Sequence, residues 1–137
     1  FRLRSGTELL ETANGHGIEV ISLIAPTSKE RIRTIAKKAQ GFIYLVSSMG
    51  VTGMRNEICM DLEGMIGEIR AVTDTPVAVG FGIHTPEQAR EIAAMADGVI
   101  VGSAIVRLIA QYKEHAGKDI FSYVRMMSAA VNGTQKN

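Results

Sequence analysis

The sequence predicts an α/β fold built on parallel strands, and three observations carry that reading. Four short apolar runs rich in valine and isoleucine punctuate the chain, each is followed by a helix-spaced stretch, and each crossover is long enough to hold a helix. The runs are Glu19–Ala25 (EVISLIA), Gly41–Val46 (GFIYLV), Pro76–Gly80 (PVAVG) and Gly98–Val101 (GVIV). They are almost continuously apolar, the pattern of strands buried on both faces. Right-handed crossovers between parallel neighbours follow.

The helix starts are written in the sequence. Thr27-Ser-Lys-Glu30 and Thr85-Pro-Glu-Gln88 both match the capping box, the second with proline at the first helical position. Behind them Ile32, Ile35, Ala36 and Ala39 form one apolar stripe, and Ala89, Ile92, Ala93 and Ala96 another. Asp61 is read as the cap of a third helix that buries Leu62, Met65, Ile66 and Ile69, although Gly64 and Gly67 each cost it about 1 kcal/mol relative to alanine. Ser103 opens a fourth, with Ile105, Leu108, Ile109 and Tyr112 on its apolar side. A last helix is expected over about Asp119–Ala130 and a leading one over about Thr7–Asn14, while the tail after Ala130 is polar and expected to fray.

With 137 residues the chain can bury one core, but it has about half of the roughly 250 residues of an eight-stranded α/β barrel. Residues 1–137 are therefore read as one half-barrel domain: a leading helix to about 17, βα units over 18–112, and a C-terminal helix and tail over 113–137. Charged residues are 21% with a formal net charge of +1, and the two signs are mixed. No nucleic-acid footprint is present, so a small molecule or another protein is the expected partner. Cys59 is the single cysteine and has no metal-ligand spacing; a reducing cytoplasm is the expected location. The start of the chain lacks an apolar segment of signal-peptide length. The longest apolar runs fall far short of the roughly 18 residues a membrane helix requires.

In parallel α/β folds ligands bind beyond the carboxyl ends of the strands. Three of the four loops there are glycine-rich: Ser47-Ser-Met-Gly50-Val-Thr52-Gly53, Gly80-Phe81-Gly82-Ile83 and Gly102-Ser103-Ala104. Glycine lets backbone N–H groups approach an anion, and a helix starting just afterwards adds its positive end. Gly102-Ser103 is the clearest instance, since N–H groups and a hydroxyl converge on one point; the alternative is that Ser103 only caps its helix. Tyr44, Phe81 and Ile100 lie at or just past strand ends, placed either to wall an aromatic-sized apolar pocket or to fill the core.

The titratable residues offer less. His16, His84 and His115 have no partner spacing and read as surface residues, and Asp61, Asp74 and Asp97 sit in cap or turn contexts. The rim thus has binding machinery without an evident acid–base pair.

The stretches LIAPTSKERI, GFIYLVSSMGVTGMRNE and TPVAVGFGIHTPEQAREIAAMADGVIVGSAIVRLI resemble the second half of tryptophan synthase alpha chains, over about Ile18 to Ile109. The order Y-x-x-S-x-x-G-V-T-G, then V-G-F-G-I, then V-G-S-A makes the resemblance specific; residues 1 to about 12 do not share it. It implies the C-terminal half, (βα)4, of a TIM (β/α)8 barrel. It also implies an enzyme that cleaves indole-3-glycerol phosphate to indole and glyceraldehyde 3-phosphate in tryptophan biosynthesis. By the same matching Gly53, Gly82, Gly102 and Ser103 hold the substrate phosphate, while Tyr44, Thr52, Phe81 and Ile100 border the indole ring. Ser47 to Ile58 forms the closing loop, where Thr52 contacts a catalytic aspartate. No cofactor or metal is implied for the alpha chain; pyridoxal phosphate belongs to the partner beta subunit, which receives the indole.

The family's aspartate and its catalytic glutamate belong to loops of the first half of the barrel, so the 137 residues supply phosphate and indole contacts and no useful lyase activity by themselves. Four strands leave two apolar sheet edges, at Glu19–Ala25 and Gly98–Val101, open to pairing. The missing half supplied from elsewhere, two copies forming a homo-oligomer, or a truncated product of marginal stability all fit. Another phosphate-binding barrel, such as a ribulose-phosphate epimerase, and a non-catalytic phosphate-binding half-barrel are the competing functional readings.

Overall fold

Four strands pair in chain order, β1-β2-β3-β4, and every pairing is parallel. The computed structural model describes residues 6–47, 55–80 and 82–133. Helix α1 (Gly6–Gly15) precedes β1 (Ser22–Ile24), a 3-10 segment (Pro26–Arg31) and α2 (Ile32–Lys37). Then come β2 (Ile43–Val46), α3 (Arg55–Arg70), β3 (Val77–Gly80), α4 (Pro86–Met95) and β4 (Gly98–Val99). Helix α5 (Ser103–Tyr112), a 3-10 turn (Lys113–His115) and α6 (Gly117–Asn132) complete the described chain. The predicted strand–helix alternation is present throughout, with strands shorter than the apolar runs that contain them.

Register decides which side of each strand meets the helices. Ile24, Leu45 and Val79 stand in one row and Ile43 beside Val77 in another, and all five are fully buried. Ile32 and Ala36 of α2, Leu62, Met65, Ile66 and Ile69 of α3, and Ala89 and Ile92 of α4 join them in one core cluster. At about 1.5–3 kcal/mol for each fully buried large aliphatic side chain, this layer dominates the favourable side of folding.

The opposite row, Leu23, Tyr44, Ala78 and Gly98, is not covered in the same way. Leu23 is 58% exposed, and Tyr44, Ala78 and Gly98 are only half-buried. The expectation of strands buried on both faces is thus corrected: helices cover one face, because alternate residues of a strand point to opposite sides and no described element packs over the second.

Local sequence signals fared unequally. At α4 the capping box forms as written: Thr85 Oγ1 accepts the Gln88 N–H at 3.2 Å and Gln88 Oε1 accepts the Thr85 N–H at 3.1 Å. The box expected at Thr27 does not form. Pro26 instead begins a 3-10 segment, Ser28 Oγ accepts the Ala25 N–H at 3.1 Å, and α2 starts after Arg31 without a side-chain cap. Asp61 lies inside α3, which begins at Arg55, so it is not a cap. A run of good helix formers upstream extends the helix through it. The apolar side of α5 is likewise not a buried stripe: Ile105 and Leu108 are half-buried, and Ile109 and Tyr112 are exposed.

Candidate functional site

Parallel strands bring all their carboxyl ends to one rim of the sheet, and the rim is stitched together by hydrogen bonds past the strand ends. Ser47, directly after β2 and 1% exposed, donates to the Gly80 carbonyl both from its backbone N–H and from Oγ, each at 3.0 Å. Ile100 N–H donates to the Val79 carbonyl at 2.8 Å, carrying the β3–β4 pairing beyond β4. The loops bearing Gly82 and Gly102 therefore leave adjacent, directly bonded strands.

Gly82 has φ +79°, a left-handed conformation that L side chains rarely adopt, which accounts for glycine there. Gly102 has φ −125° and ψ −69° and stands at the N-cap of α5 with no side-chain cap bond. Its conformation does not demand glycine, yet among the described residues, its chain neighbours apart, no heavy atom lies within 4 Å of where a Cβ would sit. Ile105 and Val106 donate their N–H groups to the Gly102 carbonyl at 3.0 and 3.1 Å. The N–H groups of Ser103 and Ala104 precede the first intrahelical donor and face the open end of the helix, where the macrodipole favours an anion. Ser103 is exposed and is the first residue of α5 rather than its cap.

Within the sheet, Tyr44 occupies the row whose next members are Ala78 and Gly98. Side-chain volume falls along that row toward β4, from tyrosine to alanine to glycine. The ring itself covers Gly80, where an added Cβ would stand 2.5 Å from the phenolic oxygen. Ile100 is half-buried at the same rim. The structure thus groups Tyr44, Gly82, Ile100, Gly102 and Ser103 at the carboxyl ends of β2, β3 and β4. Thr52, Gly53 and Phe81 lie outside the described residues. Of the predicted closing loop Ser47–Ile58, Ser47 directly follows β2, 55–58 belong to the start of α3, and 48–54 lie outside the described residues.

Acidic groups are elsewhere. Asp97 sits at the amino ends of the strands, where Oδ2 accepts the Val77 N–H at 3.0 Å and lies 3.5 Å from the Arg70 guanidinium. Asp74 also precedes β3. Among the described residues no group of three or more His, Cys, Asp or Glu is arranged to hold a metal ion.

Two residues near the rim escape sequence reasoning. His84, read as an isolated surface residue, is exposed but its Nδ1 lies 3.1 Å from the Gly82 carbonyl. Tyr123 of α6 donates its hydroxyl to the His84 carbonyl at 2.7 Å, and burial raises its pKa above the usual tyrosine value, keeping it a donor. The partners are 39 residues apart, so no local pattern marks them.

Comparison with known proteins extends these observations. The family model of the tryptophan synthase alpha chain matches residues 3–132, a wider span than the motifs between Ile18 and Ile109, and one that includes most of the N-terminal segment that showed no resemblance. The alpha chain of Lacticaseibacillus casei is 48% identical over 132 residues, covering 96% of this chain and 50% of that protein. That of Lactiplantibacillus plantarum is 51% identical over the same length, with the same coverage. Among solved structures, the alpha subunit from Campylobacter jejuni superposes with TM-score 0.77 at 34% identity, over 90% of this chain and 50% of that one. Tryptophan synthase from M. tuberculosis in its aminoacrylate-bound form gives TM-score 0.75 at 29% identity, over 96% and 47%. The chain spans about half the length of the relatives it matches.

Proposed function

Because the chain belongs to the tryptophan synthase alpha chain family, we propose that its glycine rim is the phosphate- and indole-binding half of a lyase site. The reaction is cleavage of indole-3-glycerol phosphate to indole and glyceraldehyde 3-phosphate. The observation that carries this reading is the space the described residues leave at Gly102, at the head of α5, while the Gly82 loop leaves the adjacent strand β3. Gly53, Gly82, Gly102 and Ser103 hold the phosphate, with backbone donors supplying attraction that needs no titrating group. Tyr44, Thr52, Phe81 and Ile100 flank the indole.

The reaction requires a proton delivered to the indole ring and another taken from the glycerol hydroxyl. These 137 residues place no carboxylate at the rim among those described, so the acid and base come from the first half of the fold, and residues 1–137 act as one half-barrel unit. Indole then passes to a beta subunit that carries pyridoxal phosphate; the alpha side needs no cofactor. A cytoplasmic location accords with this reading. Among the described residues, no helix is long and apolar enough to cross a membrane.

The test separates binding from chemistry. Glycerol 3-phosphate should bind the chain, and Gly102→Val should weaken it by roughly tenfold or more, because β-branching fills the space reserved for the anion. Mixing the chain with the first half of an alpha subunit and with beta subunit should restore indole formation. Unchanged glycerol phosphate affinity in the valine variant, or no complementation by a first half that does associate, would refute the assignment.

A further inference from the structure

We infer that Tyr123 is a positioning residue for the phosphate subsite, holding from α6 the loop that carries the left-handed Gly82. The inference rests on the reading of the rim given above and adds a residue outside it.

Four hydrogen bonds pin the loop between β3 and α4. Gln88 Oε1 accepts the His84 N–H at 2.9 Å and the Thr85 N–H at 3.1 Å, fixing the end that enters the helix. His84 Nδ1 lies 3.1 Å from the Gly82 carbonyl; a carbonyl has no proton to give, so the ring nitrogen is the donor. These three fastenings are local. The fourth comes from a distant part of the chain: the Tyr123 hydroxyl donates to the His84 carbonyl at 2.7 Å.

Tyr123 also lines a crevice of about 270 Å³ with Val101, the residue before Gly102, and Ile105, in the first turn of α5. One side chain therefore relates to the supports of both glycine loops, its hydroxyl bonded to one and its side chain lining the same crevice as the other. That division suits tyrosine, whose body is apolar and whose tip is polar. Without the hydroxyl bond the Gly82–His84 segment keeps its local fastenings but loses its tie to the helix framework. Its amides then sample more orientations, and an anion must order them again on binding.

The experiment is calorimetric titration of the whole protein and its Tyr123→Phe variant with two separate probes, glycerol 3-phosphate and indole. Losing the hydroxyl should weaken glycerol phosphate by about three- to tenfold, the worth of one hydrogen bond. Indole affinity should stay within about twofold, since Tyr44 and Ala78 belong to the row opposite the buried core that Tyr123 packs against. His84→Ala, which cuts the ring bond to Gly82 at an exposed position, should weaken the same probe, and should cost less when Tyr123→Phe is already present. It also serves as the reading if the phenylalanine variant fails to fold. Unchanged phosphate affinity in either variant overturns the proposal while leaving the rim intact, and equal losses for both probes overturn it by reducing Tyr123 to general support. A parent protein that binds indole but no glycerol phosphate overturns the rim assignment itself, and this inference with it.

Discussion

The phenolic oxygen of Tyr44 sits 2.5 Å from the point where a Cβ on Gly80 would stand, and two ring carbons lie 2.8 and 3.0 Å from it. Gly80 ends β3, and its carbonyl receives both donors of Ser47, so the tyrosine lies over the best-tied point of the rim. Gly80→Ala must displace the ring. Overpacking of this kind costs about 1–3 kcal/mol, with the lower end expected because Tyr44 is half-buried and can swing toward the uncovered face. The double variant Tyr44→Ala/Gly80→Ala should recover most of that loss relative to Tyr44→Ala alone. Urea denaturation of the four proteins measures the coupling, and a Gly80→Ala cost that is the same in both backgrounds would show that Tyr44 is not the obstacle.

At the other end of the sheet, Asp97 joins the start of β3 to α3. Val77 is fully buried, and its N–H has the Asp97 carboxylate as acceptor at 3.0 Å. Asp97→Ala leaves that donor unsatisfied and should lower stability by about 1–3 kcal/mol. Asp97→Asn keeps an acceptor and should cost less. Arg70→Ala should change stability by no more than about 0.5 kcal/mol, since both members of the ion pair are open to solvent, at 46% and 39%. Glycerol phosphate affinity should be unaltered in all three. A stability loss for Arg70→Ala equal to that of Asp97→Ala would assign the effect to the ion pair instead.

How much of this was readable in the sequence depended on the range of the interaction. The Thr85–Gln88 box is complete within four residues and formed as written. The Thr27–Glu30 box has the same spelling, but Ser28 is close enough to bond Ala25 and Pro26 sets a 3-10 segment, so a competing local arrangement won. Leu62, Met65, Ile66 and Ile69 are buried as their spacing indicates, while the start of their helix was misplaced because aspartate is common both as a cap and inside a helix's early turns. The strands were found from their composition, but composition cannot say whether one face or two are covered. Leu23 and Ile24 are equally apolar, and only register separates the exposed one from the buried one. The loops carrying Gly82 and Gly102 follow β3 and β4 as their order in the sequence indicates. Tyr123 and Asp97 were illegible because their partners are 39 and 20 residues away and the bonded atoms are backbone.

Gln88 offers a test of the helix entrance. It is buried, at 7% exposure, and its side-chain oxygen serves two backbone donors. Gln88→Ala orphans both and should destabilise by about 1–2 kcal/mol, whereas Gln88→Glu retains the acceptor and should stay close to the parent. Thermal melts of the two variants decide this. A glutamate variant as unstable as the alanine one would mean that packing of the side chain, and not its oxygen, matters.

The alkaline limb of stability should report Tyr123. Desolvation raises its folded-state pKa above the ordinary 10.0, so the folded protein holds the phenolic proton more tightly than the unfolded chain does. Below pH 10 both states are protonated, and the group adds no pH dependence. Above it the unfolded chain gives up its proton first, stability falls as pH rises, and the bond to the His84 carbonyl is lost once the folded phenol ionises as well. The contribution is therefore whole at neutral pH and disappears on the alkaline side only. Tyr123→Phe should melt below the parent by a constant margin from pH 7 to about 9, and the margin should narrow as the pH passes the ordinary tyrosine value. Paired melts of the two proteins across that range provide the measurement. A margin that stays constant into strong alkali would mean that the hydroxyl bond contributes nothing to the stability of the fold.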